Sequence, residues 1–331
     1  MKTLVTGATG LVGGNLAVAL LEAGHSVRCT KRSSSRTAHL EAWDFDWVEA
    51  TLADQDALSR ACEGIDVVFH CAAAVSIQKV APDWVVDANV RGTERVIAAC
   101  REAGVQRLVH CSSTVAVGMN DDGSPADESA HWNFGSYGLD DGYSTTKRDA
   151  ELAVMAEVAD GLDAVVVNPG YMFGPLDIRP SSGKLLLEVE KRAVPGASAG
   201  RNCFVDVRDV AQGMILAAEK GRSGHRYILG GENLTYAEVF QRIAAVAGSK
   251  PITTVIPRWL ANFAGWFGDA QEALAGKEPL VNSNTIGWGY EWRFVFSSDK
   301  AREELGYTTR PLEDGIRAAL DWFSENGMRE V

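Results

Sequence analysis

The feature that most constrains this chain is a turn carrying Gly7, Gly10 and Gly13 at intervals of three, set between an apolar run and a helical pattern. Thr3, Leu4 and Val5 read as a short strand. Leu11, Val12, Leu16, Ala19 and Leu20 then recur at helical spacing, and Gly24 stands where a helix C-cap belongs. A strand that enters a helix through such a turn presents helix-start amides to an anion, with the helix dipole favouring its charge. Glycines there suit a tight turn, the approach of a pyrophosphate to bare backbone, and close helix-on-sheet packing. A glycine-rich turn can be only a turn, but the strand before it and the helix after it are the context that a dinucleotide site requires.

The alternation continues down the chain. Strands are predicted at 25–30, 45–50, 66–71, 107–111 and 164–167, with a helix N-capped by Asp54, a long helix over 82–104 and another from Tyr143 to about Ala159. This βαβαβ order predicts an α/β, Rossmann-type doubly wound parallel sheet that binds ligands at the carboxyl ends of its strands. Beyond Pro169 the alternation weakens. The expected organisation is a nucleotide-binding unit over 1–168, to which 203–230 returns, and a smaller, interleaved C-terminal substrate-binding or capping region over 169–202 and 231–331. In that region Thr235 and Glu238 form a capping box. A segment over 257–268 places Trp259, Leu260, Phe263, Trp266 and Phe267 on one helical face, expected to turn towards the core.

Composition enters only to exclude. A net charge of -12 disfavours nucleic acid as a partner, the histidines show no H-x-x-x-H or H-E-x-x-H spacing, and the six cysteines show no C-x-x-C spacing. No metal is expected, and the cysteines read as buried thiols. The chain start is not the unbroken apolar stretch of a signal peptide, and no later run is long enough to span a bilayer. A cytoplasmic protein with no membrane partner is expected.

Two stretches carry chemistry. After the second strand stand Lys31 and Arg32, with Arg28 inside the strand and no carboxylate at its end. An acid there would bind the ribose hydroxyl of NAD, whereas cations suit the 2′-phosphate of NADP. Farther on, Tyr143 and Lys147 lie four apart on one helical face. An ammonium near a phenol lowers its pKa from about 10, so Tyr143 can exchange a proton with a carbonyl oxygen. Lys147 can also bond the nicotinamide ribose. Ser113, at the end of the fifth strand, can hydrogen-bond the same substrate oxygen, and the small residues Ala72 and Ala73 after the fourth strand leave room for a cofactor.

In this order the motifs resemble an extended short-chain dehydrogenase/reductase over nearly the whole chain. Thr6 to Gly13 is similar to that family's glycine motif, His70 to Ala73 to its fourth-strand motif, and Asn89 to Thr93 to its helix motif. Cys111 to Ser113 and Tyr143 to Lys147 resemble its active site, and Asn168 to Pro175 its post-strand cofactor loop. The resemblance implies Ser113, Tyr143 and Lys147 as the catalytic triad. It implies cofactor contacts from Gly7, Thr9, Gly10, Leu11, Val12, Gly13, Leu52, Ala72, Ala73, Asn89, Tyr143, Lys147 and Pro169, beside Arg28, Lys31 and Arg32. Thr51-Leu52 departs from the family's Asp-Leu after the third strand, which holds the adenine. The branch most similar at Val27 to Arg32 is the dihydroflavonol reductase group, which uses NADPH. The resemblance also implies a homodimer formed through the Tyr/Lys helix, for which Val154, Met155 and Val158 offer apolar surface.

The expected activity is NADPH-dependent reduction of an aldehyde or ketone, a compact and largely apolar small molecule, to its alcohol. A nucleotide-sugar epimerase or dehydratase holding NAD is the first alternative, and a non-catalytic NADPH-binding sensor the second. Against the first, the tail offers Trp259, Phe263, Trp266, Trp288, Tyr290 and Trp292 where sugar-nucleotide enzymes carry phosphate-binding arginines.

Overall fold

The computed structural model describes residues 1–275, 279 and 281–329. The first half runs β1 (Lys2–Thr6), α1 (Leu11–Glu22), β2 (Ser26–Lys31), β3 (Asp46–Glu49), α2 (Gln55–Cys62), β4 (Val67–His70), α3 (Asp83–Val86), α4 (Gly92–Ala103), β5 (Arg107–Cys111), α5 (Gly142–Ala159) and β6 (Ala164–Pro169). There follow β7 (Tyr171–Phe173), α6 (Gly183–Glu190), β8 (Arg201–Asp206), α7 (Val207–Lys220), β9 (Arg226–Leu229), β10 (Glu232–Thr235), α8 (Tyr236–Ala247), α9 (Arg258–Ala275), α10 (Ser283–Gly289), α11 (Asp299–Leu305) and α12 (Leu312–Glu325).

Seven strands form one parallel sheet in the order β3-β2-β1-β4-β5-β6-β9. The central strands β4 and β6 are buried at every position, as a parallel strand covered on both faces must be. One face packs on α1 and α7 through residues such as Leu16, Leu20, Val210 and Met214; the other packs on α2, α4 and α5 through Leu58, Val96, Cys100 and Val154. Strand order reverses between β1 and β4, so the crevice between their carboxyl ends is the topological switch point where such sheets bind ligands.

The interleaving differs in one part from the sequence expectation. Residues 203–206 do not rejoin the main sheet: β8 lies between β7 and antiparallel β10 in a three-stranded sheet. The return is made by α7 and β9. Phe173, Phe204, Phe240 and Leu320 build the separate core beneath the small sheet.

The helix expected over 82–104 is interrupted by a π-helical segment, Asp87–Arg91, between α3 and α4. The aromatic face of α9 is turned the other way from the expectation. Trp259, Phe263, Trp266 and Phe267 are all more than 60 % exposed, while Ala261, Gly265 and Gly268 face inward. Backbone contact sets this direction: a Cβ at Gly268 would lie 1.9 Å from the carbonyl oxygen of Val281, and one at Gly265 would lie 3.1 Å from Ser283. Phe134, Trp288, Phe294 and Phe296 pack instead as a chain of successive edge-on ring pairs, with centroids 4.8–5.1 Å apart, and close the long loop over 118–141 against the C-terminal region. Tyr290 is also buried. Val154, Met155 and Val158 belong to the core of the sheet, so on α5 the exposed large apolar side chain is Leu152.

Candidate active site

The glycine turn occupies the switch point. Gly7 has φ +72°, a conformation open to glycine, and a Cβ there would lie 2.7 Å from Ala72 N, so both the turn and the neighbouring chain require its absence. Gly13 serves packing: its Cβ would meet Gly7 O at 2.4 Å. Beside the turn lies a cleft of about 540 Å³ lined by Gly7, Thr9, Gly10, Leu11, Lys31, Arg32, Leu52, Ala72 and Ala73. All nine are among the cofactor contacts expected from the sequence, and the structure gathers them on one cleft, where the bare backbone of the turn fits the phosphates of a dinucleotide.

Other expected cofactor residues stand elsewhere. Arg28 lies too far from the carboxyl end of β2 to reach the cleft; its Nε donates to Asp46 Oδ2 at 2.7 Å and its Nη1 to the carbonyls of Ala61 and Glu63. Val12 and Gly13 lie past the mouth of the turn, outside the cleft lining. Asn89, carried by the π segment, acts on the cleft wall from behind. Its Oδ1 accepts from Ala74 N at 2.6 Å, and its Nδ2 donates to Ala74 O and to Thr146 Oγ1. It therefore fixes the 72–74 turn against α5 rather than facing the cleft. Pro169 is buried at the end of β6, paired with Leu229.

The sequence reading missed the segment after β7. Asp177, Ile178, Arg179 and Ser181 line the cleft opposite the glycine turn. Asn15 Nδ2 donates to Pro175 O at 2.8 Å, and Leu176, in a left-handed conformation at φ 69°, packs over Gly14. The buried carboxylate of Asp177 accepts from the amides of Ser181 and Gly183, shaping a turn that carries Arg179. A lone arginine in a Pro- and Ser-containing loop gave no sequence signal for this. Trp84 and Arg36 also line the cleft.

Ser113, Tyr143 and Lys147 converge at the carboxyl end of β5. The helix bearing the last two is N-capped by Asp141, whose Oδ1 accepts from Ser144 N at 2.7 Å. Its Oδ2 accepts from Asn284 Nδ2 and Trp288 Nε1, tying α10 to the same cap. Lys147 is 4 % exposed and donates to Cys111 O at 2.8 Å, two residues from Ser113. The Ser113 hydroxyl neighbours the Tyr143 phenol and pulls its pKa down, but burial outweighs this and pushes the phenol up to about 12. The lowering expected from Lys147 therefore does not dominate. Tyr143 is a protonated phenol at neutral pH, the form a proton donor must hold. Burial lowers Lys147, and nearby anionic groups, Glu151 among them, oppose that.

Such a sheet edge can hold a dinucleotide with its reactive end against a proton-donating phenol, which is the working principle of an NAD(P)-dependent oxidoreductase. The comparisons agree. The model of the NAD dependent epimerase/dehydratase family matches residues 3–230, and the chain belongs to that family. It is 33% identical over 329 residues to a dihydroflavonol 4-reductase-like protein of Synechocystis sp., covering 98% of this chain and 94% of that one. It is 34% identical over 336 residues to sterol demethylase protein B of Methylococcus capsulatus, covering 99% and 100%. Among solved structures, a nucleoside-diphosphate-sugar epimerase from Pseudomonas aeruginosa superimposes with a TM-score of 0.81 at 28% identity, covering 100% of this chain and 99% of that one. Among the described residues there is no cluster that could hold a metal ion, and no helix is long and apolar enough to cross a membrane.

Proposed function

We propose that the protein is an NADPH-dependent reductase that converts the carbonyl of a compact, largely apolar molecule to an alcohol. The observation that carries the cofactor choice is the end of β2: Lys31 and Arg32 line the cleft there, Arg36 lines it four residues on, and no carboxylate stands at the strand end. The bound nicotinamide supplies hydride to the carbonyl carbon. Tyr143 gives its phenolic proton to the carbonyl oxygen, Ser113 donates a hydrogen bond to that oxygen, and Lys147, one helical turn on, carries the positive charge that favours the phenolate as it forms. Reductase and sterol-related names among the relatives support a carbonyl on an apolar body.

The test is titration of NADPH and NADH against the wild type and Arg32→Ala. NADPH should bind the wild type at least about tenfold tighter, and the variant should lose most of that difference, since each 1.4 kcal/mol is a factor of ten. Equal affinities in the wild type overturn the NADPH assignment. Incubation with aldehydes, ketones and nucleotide sugars then separates reduction, seen as NADPH consumption, from epimerisation without net consumption.

A further inference from the structure

Behind the Ser113, Tyr143 and Lys147 cluster lies a second, buried layer of charge. Glu151 follows Lys147 by one turn on α5 and is 5 % exposed. Its Oε2 accepts from Asn168 Nδ2 at 2.8 Å, and the same amide nitrogen donates to the backbone carbonyl of Ser113 at 3.0 Å. Its Oε1 accepts from Arg226 Nη1 at 3.2 Å. Arg226 in turn donates to the carbonyls of Glu128 and Ala130, in the long loop ahead of α5, at 2.9 and 3.0 Å. One carboxylate therefore ties together β6, β9, that loop and the end of β5. Asn168 Oδ1 is buried with no partner, so the amide is oriented by what its nitrogen must reach.

A buried ion pair is a weak source of stability, because desolvation cancels most of the attraction, and apolar packing of equal volume does as well. The placement of Glu151 beside the only side chains that the proposed reaction uses for proton transfer suggests another role. We propose that Glu151 is a positioning residue for the proton donor: through Asn168 it fixes the Ser113 strand end, and its charge keeps Lys147 an ammonium. This rests on the roles given above to Ser113, Tyr143 and Lys147.

The groups facing Lys147 and Tyr143 are few. From β4 and the turn after it come His70 and Cys71, from β5 His110 and Cys111, and from α5 and its cap Asp141 and Glu151. Both histidines are held neutral by burial and by the Lys147 charge; the hydrogen bond between the two thiols, with burial, holds Cys71 up, and the same bond brings Cys111 down, so Cys111 supports the Lys147 charge beside Glu151. Of the two remaining carboxylates, Asp141 is engaged at the helix cap and Glu151 opposes the fall in the Lys147 pKa. Arg226 is the cation that balances Glu151.

Glu151→Gln retains one acceptor for Asn168 and removes the charge together with the acceptor that receives Arg226. In protein carrying ε-13C-lysine, with the Lys147 signal assigned by its loss in Lys147→Arg, the Lys147 titration should move to lower pH in Glu151→Gln. The alkaline limb of kcat for carbonyl reduction should move the same way, and kcat should fall by at least about tenfold, within the range that proton-transfer groups command. Arg226→Gln, which leaves the carboxylate unbalanced, should move the Lys147 titration to higher pH and decides the matter if Glu151→Gln does not fold. A purely structural Glu151 predicts a lower melting temperature with the Lys147 titration unmoved in both variants, and that result overturns the proposal. If the wild type reduces no carbonyl, the functional reading fails while the lysine titration still judges the charge coupling on its own.

Discussion

In the proposed reaction, Tyr143 concentrates the chemistry in one hydroxyl. Its phenol, raised to about 12, stays protonated through the physiological range, and a carbonyl whose carbon gains hydride needs that proton at its oxygen. Tyr143→Phe removes the hydroxyl and leaves the ring. Cofactor affinity measured by fluorescence should stay nearly unchanged while turnover falls by about 10² to 10⁴-fold, the usual worth of general acid catalysis. A variant that keeps more than about a tenth of the activity would show that the proton comes from elsewhere. Residue identity was the most legible level of this site, because glycines, a phenol and an ammonium at fixed spacing have few other uses together. Arg28 shows where legibility ends. Its charge and its strand were right, but which end of the strand meets the cleft, and that Asp46 on β3 stands beside it, are facts of register that one strand cannot supply.

At the level of elements, the start of α5 is the junction on which the site turns. Asp141 caps that helix with one oxygen and receives Asn284 and Trp288 of α10 on the other. Asp141→Ala should cost the roughly 1 kcal/mol of a lost N-cap and a further ~2 kcal/mol for donors left without a charged acceptor, read as a lower denaturant midpoint. Helix and strand positions were readable from periodicity because the sheet buries its central strands on both faces. The π segment was not, since its hydrogen-bond shift answers to Asn89 reaching the 72–74 turn and Thr146. Nor was the outward aromatic face of α9. Hydrophobic spacing identifies an apolar stripe but not its direction, and here Gly265 and Gly268 allow α10 to approach the opposite side so closely that the small residues become the core.

Across the whole molecule, the two neighbouring imidazoles buried in the middle of the sheet, tilted at 44° to each other, make stability depend on pH. His70 is lowered to about 3 and His110 well below its ordinary value, both chiefly by burial. The unfolded chain protonates them near pH 6.5. Their folded pKa values are depressed, so their contribution is complete above that value and is lost as pH falls from there towards the folded values. The melting temperature should decline as pH falls from about 7 to 5, and His110→Leu should flatten the decline. An unchanged slope in that variant would place the acid sensitivity elsewhere.

The sheet also closes late. Its edge strand β9 and the helix α7 are reached only after the chain has built β7, α6 and β8 of the smaller sheet, and β10 begins the second excursion straight afterwards. The larger sheet and the smaller one are thus written in alternating paragraphs of one text. Grafting a relative's substrate half onto this chain needs junctions near residues 169, 206 and 230 together, and a single exchange near 169 would carry off the strand that finishes the nucleotide-binding sheet. New specificities on this scaffold therefore arise more readily by substitution along existing loops, such as the 118–141 loop ahead of α5, than by exchange of a whole contiguous domain.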